Sequence, residues 1–256
     1  MEERKSWPIQ SNEIENWPEG PAIGSASAIL MDAESGIILY EKNIHDEMYP
    51  ASTTKLMTCL LAMEKEGVKL SDMVPFSYEA VYTVPYDGSN MGMDAGESMT
   101  LEDCLYGILV LSANEVSNAV GEYVSGDAES FVELMNKRAK ELGCLNTHFN
   151  NAHGYTDENH YTSAYDLALI AREFFKNELL AKISRTKRYH WYPTDTQPDD
   201  IDLPSKNYFL TGAYNYNGFI GSKTGFTDES RQVLVSCAER NGMKLICVVM
   251  KQETPY

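Results

Sequence analysis

The sequence predicts a mixed α/β protein of the α+β type. One antiparallel sheet is built from both chain ends, helices flank it, and the middle of the chain is helical. Three observations predict this. Near the start, residues 25–31 and 36–40 are two short apolar stretches separated by the turn-forming Asp32-Ala33-Glu34-Ser35-Gly36. In the last quarter, residues 219–224, 232–238 and 244–250 have strand character, and Asn241-Gly242 between the last two is a strong hairpin dipeptide. Between these ends the apolar residues recur with helical periodicity.

Residues 1–22 are polar, carry Pro8, Pro18 and Pro21, and read as a loose leader; residues 23–256 read as one catalytic domain. After the first two strands, Pro50 ends an extended stretch and Ser52 suits the start of a helix running to about Glu66. Residues 71–99 read as irregular. Thr100-Leu101-Glu102-Asp103 is a capping sequence for a helix to about Leu111. Helical patterns cover 115–124 and 128–142. Ser163 opens another helix, with Leu167, Ile170, Ala171, Phe174 and Phe175 on its apolar side, and 190–206 reads as an acidic, proline-bearing loop.

Composition narrows the function. The formal net charge of −17 argues against a nucleic-acid partner, because nothing neutralises phosphates in bulk. The five cysteines lack metal spacing or a disulfide framework and are expected to be buried free thiols. His148, His153 and His160 cluster in a polar stretch without the support a zinc site needs, so loop hydrogen bonding is expected there and no metal or cofactor is implied. The N-terminus has no apolar signal-peptide core, and no apolar run approaches the ~18 residues of a membrane span.

Three motifs carry chemistry: Ser52-Thr53-Thr54-Lys55, Ser112-Ala113-Asn114 and Lys223-Thr224-Gly225. A serine hydroxyl needs a nearby base to become a nucleophile. Lys55, one helical turn on, can serve if burial and a second cation such as Lys223 lower its pKa. The N–H of Ser52 at a helix start suits an oxyanion, and the N–H of Phe226 could complete the hole. Ser112 could pass a proton to a leaving amine, and Asn114 could grip a substrate amide. Lys223 and Thr224 suit a carboxylate, and Gly225 would let a substrate backbone lie close. Taken singly, each motif has a plain reading: a capping serine, a solvated lysine, a helix junction, a strand end. An S-x-x-K is expected about once by chance in such a chain, and a second one exists, Ser184-Arg185-Thr186-Lys187, read as surface. A second S-x-N, Ser205-Lys206-Asn207, also exists, whereas K-T-G occurs once.

In combination these segments resemble the low-molecular-mass penicillin-binding proteins, the serine-type D-alanyl-D-alanine carboxypeptidases. The stretches Pro50–Thr58, Leu111–Glu115, Asn151–Gly154, His160–Ala168 and Lys223–Glu229 carry the likeness, over roughly residues 24–250. The resemblance implies a β-lactamase/transpeptidase-like fold and removal of the terminal D-Ala from peptidoglycan stem peptides through an acyl-enzyme on Ser52. It also implies covalent inhibition by β-lactams and an extracytoplasmic location. Such proteins usually carry a signal peptide, a helix closing the sheet, often a β-rich second domain, and an amphipathic anchor. This chain ends six residues past the last expected strand, so the domain reads as C-terminally truncated, and any membrane attachment would run through segments outside it. An arginine that helps hold the substrate carboxylate in some members would also fall beyond that end.

Three rivals stand beside this reading. A class A β-lactamase needs a water-activating Glu, and Glu173-Phe174-Phe175-Lys176-Asn177 has the spacing but sits within a helical pattern. A β-lactam sensor would acylate and stay acylated. A D,D-endopeptidase would use the same residues on crosslinked peptides.

Overall fold

The computed structural model describes residues 2–254, with Leu203 described by its backbone; Met1, Pro255 and Tyr256, at the ends of the expected leader and domain, lie outside the described residues. A one-turn helix, α1 (Glu2–Lys5), precedes the hairpin of β1 (Ser27–Asp32) and β2 (Ile38–Lys42). Its turn is as the sequence predicts: Asp32 Oδ1 accepts from the Ser35 N–H at 2.7 Å, and Gly36 takes φ +77°. Then come α2 (Lys55–Glu64), β3 (Met73–Pro75), α3 (Tyr78–Tyr82), β4 (Ser98–Thr100) and α4 (Leu101–Tyr106). The helical middle continues with α5 (Asn114–Ser125), α6 (Ala128–Glu141), α7 (Ala164–Phe174) and α8 (Glu178–Ser184). A small hairpin of β5 (Arg188–Trp191) and β6 (Ile201–Pro204) leads to α9 (Tyr208–Thr211), and the chain closes with β7 (Phe219–Thr227), β8 (Arg231–Arg240) and β9 (Met243–Gln252).

The main sheet is fully antiparallel, in the order β2-β1-β9-β8-β7. The last strand lies between the two halves, with Ser27 opposite Met250 and Leu30 opposite Cys247. Helix α7 packs on β1 and β9, and Leu167, Ile170, Ala171 and Phe174, on the side expected to be apolar, are buried. Helix α8 lies against β7. All five cysteines are free thiols, four of them buried.

Four sequence expectations are corrected. The stretch 71–99 holds a β3–β4 ladder and α3 rather than only irregular chain. The acidic loop 190–206 contains part of the β5–β6 hairpin, because Trp191 is buried and Tyr189 stacks on Tyr106 at 3.7 Å. Ser184 is buried, not at the surface: its hydroxyl donates to the Ala181 carbonyl at 2.9 Å and packs on Gly221. The segment 2–22 is not loose. Its residues cover the outer edge of β2, with Gln10 Oε1 accepting from the Asn43 N–H and Trp17 Nε1 donating to the Leu39 carbonyl. Lys42, fully buried on that edge strand, donates to the carbonyls of Arg4 at 2.6 Å and Ile23 at 2.9 Å. An otherwise open sheet edge, which would invite pairing with another chain, is thereby covered.

Candidate active site

The expected helix at Ser52 begins differently. Residues Ala51–Thr54 form a 3-10 turn, and α2 starts only at Lys55. With three residues per turn, side chains at i and i+3 eclipse. That alignment brings Lys55 Nζ to 3.1 Å from Ser52 Oγ. Lys55 also donates to Asn114 Oδ1 at 2.7 Å and to the His153 carbonyl at 2.6 Å. Those two partners can only accept, whereas a serine hydroxyl can also donate. A neutral Lys55 would therefore spend both N–H groups on Asn114 and His153 and keep its lone pair for Ser52. Burial, reinforced by the Lys223 ammonium, holds the Lys55 pKa well below the usual lysine range.

Ser112 sits at the second corner. Helix α4 runs into a π-helical turn, Gly107–Leu111, and the chain breaks at Ser112 in a left-handed conformation, φ 70° and ψ 32°. A non-glycine residue there costs on the order of 1–2 kcal/mol, and the break turns the chain so that α5 opens with Asn114. Lys223 Nζ donates to Ser112 Oγ at 3.0 Å and to the Thr224 carbonyl at 2.9 Å. Burial lowers the Lys223 pKa to about 7.

Ser52, Ser112, Asn114, Lys223, Thr224, Gly225 and Phe226 all line one cleft of 680 Å³, with Lys55 buried beneath Ser52. All eight sequence-predicted residues are thus brought together. Gly225 also meets a requirement within the protein itself. A Cβ at that position would sit 3.0 Å from Ser52 N and from the Pro50 carbonyl, so the bare glycine lets edge strand β7 lie against the protein's own Ser52 turn. Gly154 does the same from the opposite wall: at φ +88°, a Cβ there would fall 1.8 Å from the Ala51 carbonyl.

Several site residues escaped the sequence reading. The carbonyl of His153 leaves no side-chain signature. Glu115, 2% exposed on α5, accepts from the Met91 N–H at 2.6 Å, and Asn114 N donates to the Ser89 carbonyl at 2.8 Å. Together they pin the loop whose Asp87, Gly88 and Ser89 form one cleft wall. Burial raises the Glu115 pKa. The second S-x-N also belongs here, since Ser205 and Asn207 line the cleft and Asn207 Nδ2 donates to Ser222 Oγ, beside Lys223. The loop histidines make the hydrogen bonds expected of them: His160 joins Thr54 Oγ1 at 2.8 Å to the Asn150 N–H at 2.9 Å, and His153 Nδ1 accepts from the Tyr155 N–H. Burial lowers both pKa values to about 3. No cluster of three or more His, Cys, Asp or Glu able to hold a metal occurs among the described residues.

A family model described as D-alanyl-D-alanine carboxypeptidase matches residues 14–254. The chain belongs to the D-alanyl-D-alanine carboxypeptidase family. Among curated members, DacF of Bacillus subtilis is 40% identical over 232 residues, covering 90% of this chain and 58% of that protein. DacC of Escherichia coli is 33% identical, covering 92% of this chain and 58% of that protein. The chain therefore spans less than two thirds of the length of these carboxypeptidases. Among solved structures, the carboxypeptidase DacD of Francisella tularensis superposes with a TM-score of 0.84 at 27% identity, covering 94% of this chain and 69% of that one. A point mutant of a Streptomyces DD-transpeptidase gives 0.85 at 27% identity, covering 92% and 93%. The fold is that of the penicillin-binding transpeptidases.

Proposed function

We propose that residues 23–256 are the catalytic domain of a serine D,D-carboxypeptidase that removes the terminal D-Ala from peptidoglycan stem peptides. Ser52 Oγ attacks the carbonyl of the penultimate D-Ala, and its proton passes to neutral Lys55. The C–N bond breaks, a proton delivered through Ser112 leaves with the D-Ala amine, and an ester on Ser52 remains. Water then hydrolyses the ester and restores the serine. Asn114 holds the substrate amide. Lys223 and Thr224 face the terminal carboxylate, and the N–H groups of Ser52 and Phe226, brought close by Gly225, hold the oxyanion. The observation that carries this reading is the Lys55 amine, 3.1 Å from Ser52 Oγ with its other two partners limited to accepting.

The same nucleophile would be acylated by β-lactams, and a peptidoglycan substrate places the protein outside the cytoplasm. Glu173 of α7, the candidate water activator of a β-lactamase, instead pairs with Lys176 at 2.6 Å, and it is not among the cleft-lining residues. This disfavours that rival. The deciding experiment is intact mass against time with benzylpenicillin, then D-Ala release from a stem pentapeptide. A lasting adduct on Ser52 with D-Ala release supports the carboxypeptidase. An adduct without release from that peptide or from crosslinked dimers indicates a sensor, cleavage of dimers alone an endopeptidase, and rapid penicillin turnover a β-lactamase.

A further inference from the structure

A second cavity, of 490 Å³, is lined by residues close in the chain to those of the cleft, and none of the steps above takes place in it. The same two chain segments wall both spaces. Thr83 lines the second cavity, and Asp87, Gly88 and Ser89, a few residues on, line the cleft. Asn150–His153 line the second cavity, and Gly154, Tyr155 and Thr156 line the cleft. Where the two segments meet, the Tyr155 hydroxyl donates to Asp87 Oδ1 at 3.1 Å. A ligand lying across this boundary would touch both spaces.

The lining of the second cavity is chemically distinctive. Most of its polar side chains are amides and carboxylates: Asn118 from α5, Glu129 and Glu133 from α6, and Asn150 and Asn151 from the loop, with Thr83 and His153 beside them. Glu129 and Glu133 stand four residues apart, on one face of the helix. Phe131, Val132 and Ala152 supply its apolar surface. No Lys or Arg lines the cavity, so an anionic ligand such as a carboxylate-bearing peptide would find no counter-charge there. Amides, which both donate and accept, and carboxylates, which accept from hydroxyls, set beside apolar side chains, suit a neutral polyol with its hydroxyls and amides at the edge of a flat apolar face.

An independent observation favours the same ligand class. Helix α3, whose C-cap is Thr83, carries Tyr78 and Tyr82, and Tyr86 follows in the segment leading to Asp87. Each is more than half exposed, and the rings of Tyr78 and Tyr82 lie 4.8 Å apart. These exposed rings offer flat apolar faces with a polar tip to a ligand, and such faces match the C–H faces of sugar rings.

We propose that the second cavity and the adjoining tyrosines bind the amino-sugar strand to which the stem peptide is attached, while the peptide enters the cleft. This assignment rests on the carboxypeptidase reading. It would make the enzyme prefer a peptide still joined to glycan over the same peptide free in solution.

The test uses two substrates, a free stem pentapeptide and that pentapeptide attached to a short glycan, with a β-1,4-linked tetramer of N-acetylglucosamine as a binding probe. The wild type is expected to bind the tetramer, with NMR shifts at Asn118 and Asn150. The double variant Glu133→Ala/Asn150→Ala is expected to lose about tenfold in kcat/KM on the glycan-linked substrate. It should stay within about twofold on the free peptide, since neither residue contacts the reacting atoms. Equal effects on both substrates, no effect on either, or no tetramer binding by the wild type would overturn the proposal. If benzylpenicillin fails to label Ser52 and neither peptide is cleaved, the carboxypeptidase reading fails instead, and tetramer binding still decides this one.

Discussion

At the scale of single residues, Ser52 and Lys55 carry the sharpest expectations. Ser52→Ala should abolish covalent β-lactam labelling, read by intact mass; retained labelling would remove Ser52 as nucleophile. Lys55→Ala should slow acylation by about a hundredfold or more, the scale of a lost general base. A near-normal rate would move that role elsewhere. Lys223 makes a pH prediction. Burial lowers its pKa to about 7, so the free enzyme loses this cation as pH rises through that value. If the cation holds the substrate carboxylate, kcat/KM should fall on the alkaline side with an apparent pKa near that value, since kcat/KM reports the free enzyme. A profile flat to pH ~9 would show that the carboxylate is held by neutral groups. These residues were legible in the sequence because the proposed chemistry needs particular side chains. The His153 carbonyl and the Glu115 clamp on Met91 were not, because a backbone acceptor has no side-chain signature and a helical glutamate usually faces solvent.

At the scale of elements, the site depends on close approach. Gly154→Ala combines an unfavourable positive φ with a Cβ 1.8 Å from the Ala51 carbonyl. The expected cost is roughly 2–5 kcal/mol, with slowed labelling of Ser52, checked by urea unfolding and by acylation rate. Unchanged stability would mean the loop has room to retreat. The same loop carries the two buried histidines, whose folded pKa of about 3 lies below the ordinary 6.5. Between those values the unfolded chain binds protons that the folded chain excludes. Their contribution to stability is therefore complete above 6.5 and lost progressively as pH falls toward 3. The urea midpoint should drop across that range, and His160→Gln should flatten the drop; an equally steep drop in the variant would point to other groups. The five strands of the main sheet and the α5–α7 helices were readable from periodicity and caps, whereas the two small ladders, β3–β4 and β5–β6, were not. The π-helical turn before Ser112 and the 3-10 turn at Ser52 were not, since both sequences also fit regular helix and only packing selects the tighter or wider turn.

At the scale of the whole molecule, the sheet is closed at one side by the segment before β1. Arg4 pairs with Glu253 at 2.8 Å, and the Arg4 carbonyl accepts from buried Lys42. Removing residues 1–13 should expose the β2 edge and leave Lys42 short of an acceptor. The expected result is a loss of about 1–3 kcal/mol in stability together with concentration-dependent association, checked by unfolding and by light scattering. A monomer of unchanged stability would show that the segment merely rests on the edge. The polar composition that suggested a loose leader was misleading because its side chains bind backbone groups, not a core.

By itself, the sequence determined the α+β class, the sheet made from both chain ends, and the three motifs whose side chains meet at the cleft. Each of these follows from local periodicity or from a chemical identity that no other residue supplies. The tertiary structure decided what a side chain becomes once water is removed. Burial beside Lys223 depresses the Lys55 pKa, and the Ser52 turn is fitted between Gly154 and Gly225. The fold also sets a second cavity, lined by residues close in the chain to those of the cleft. Those outcomes depend on contacts between segments far apart in the chain, where desolvation and steric fit outweigh local preference.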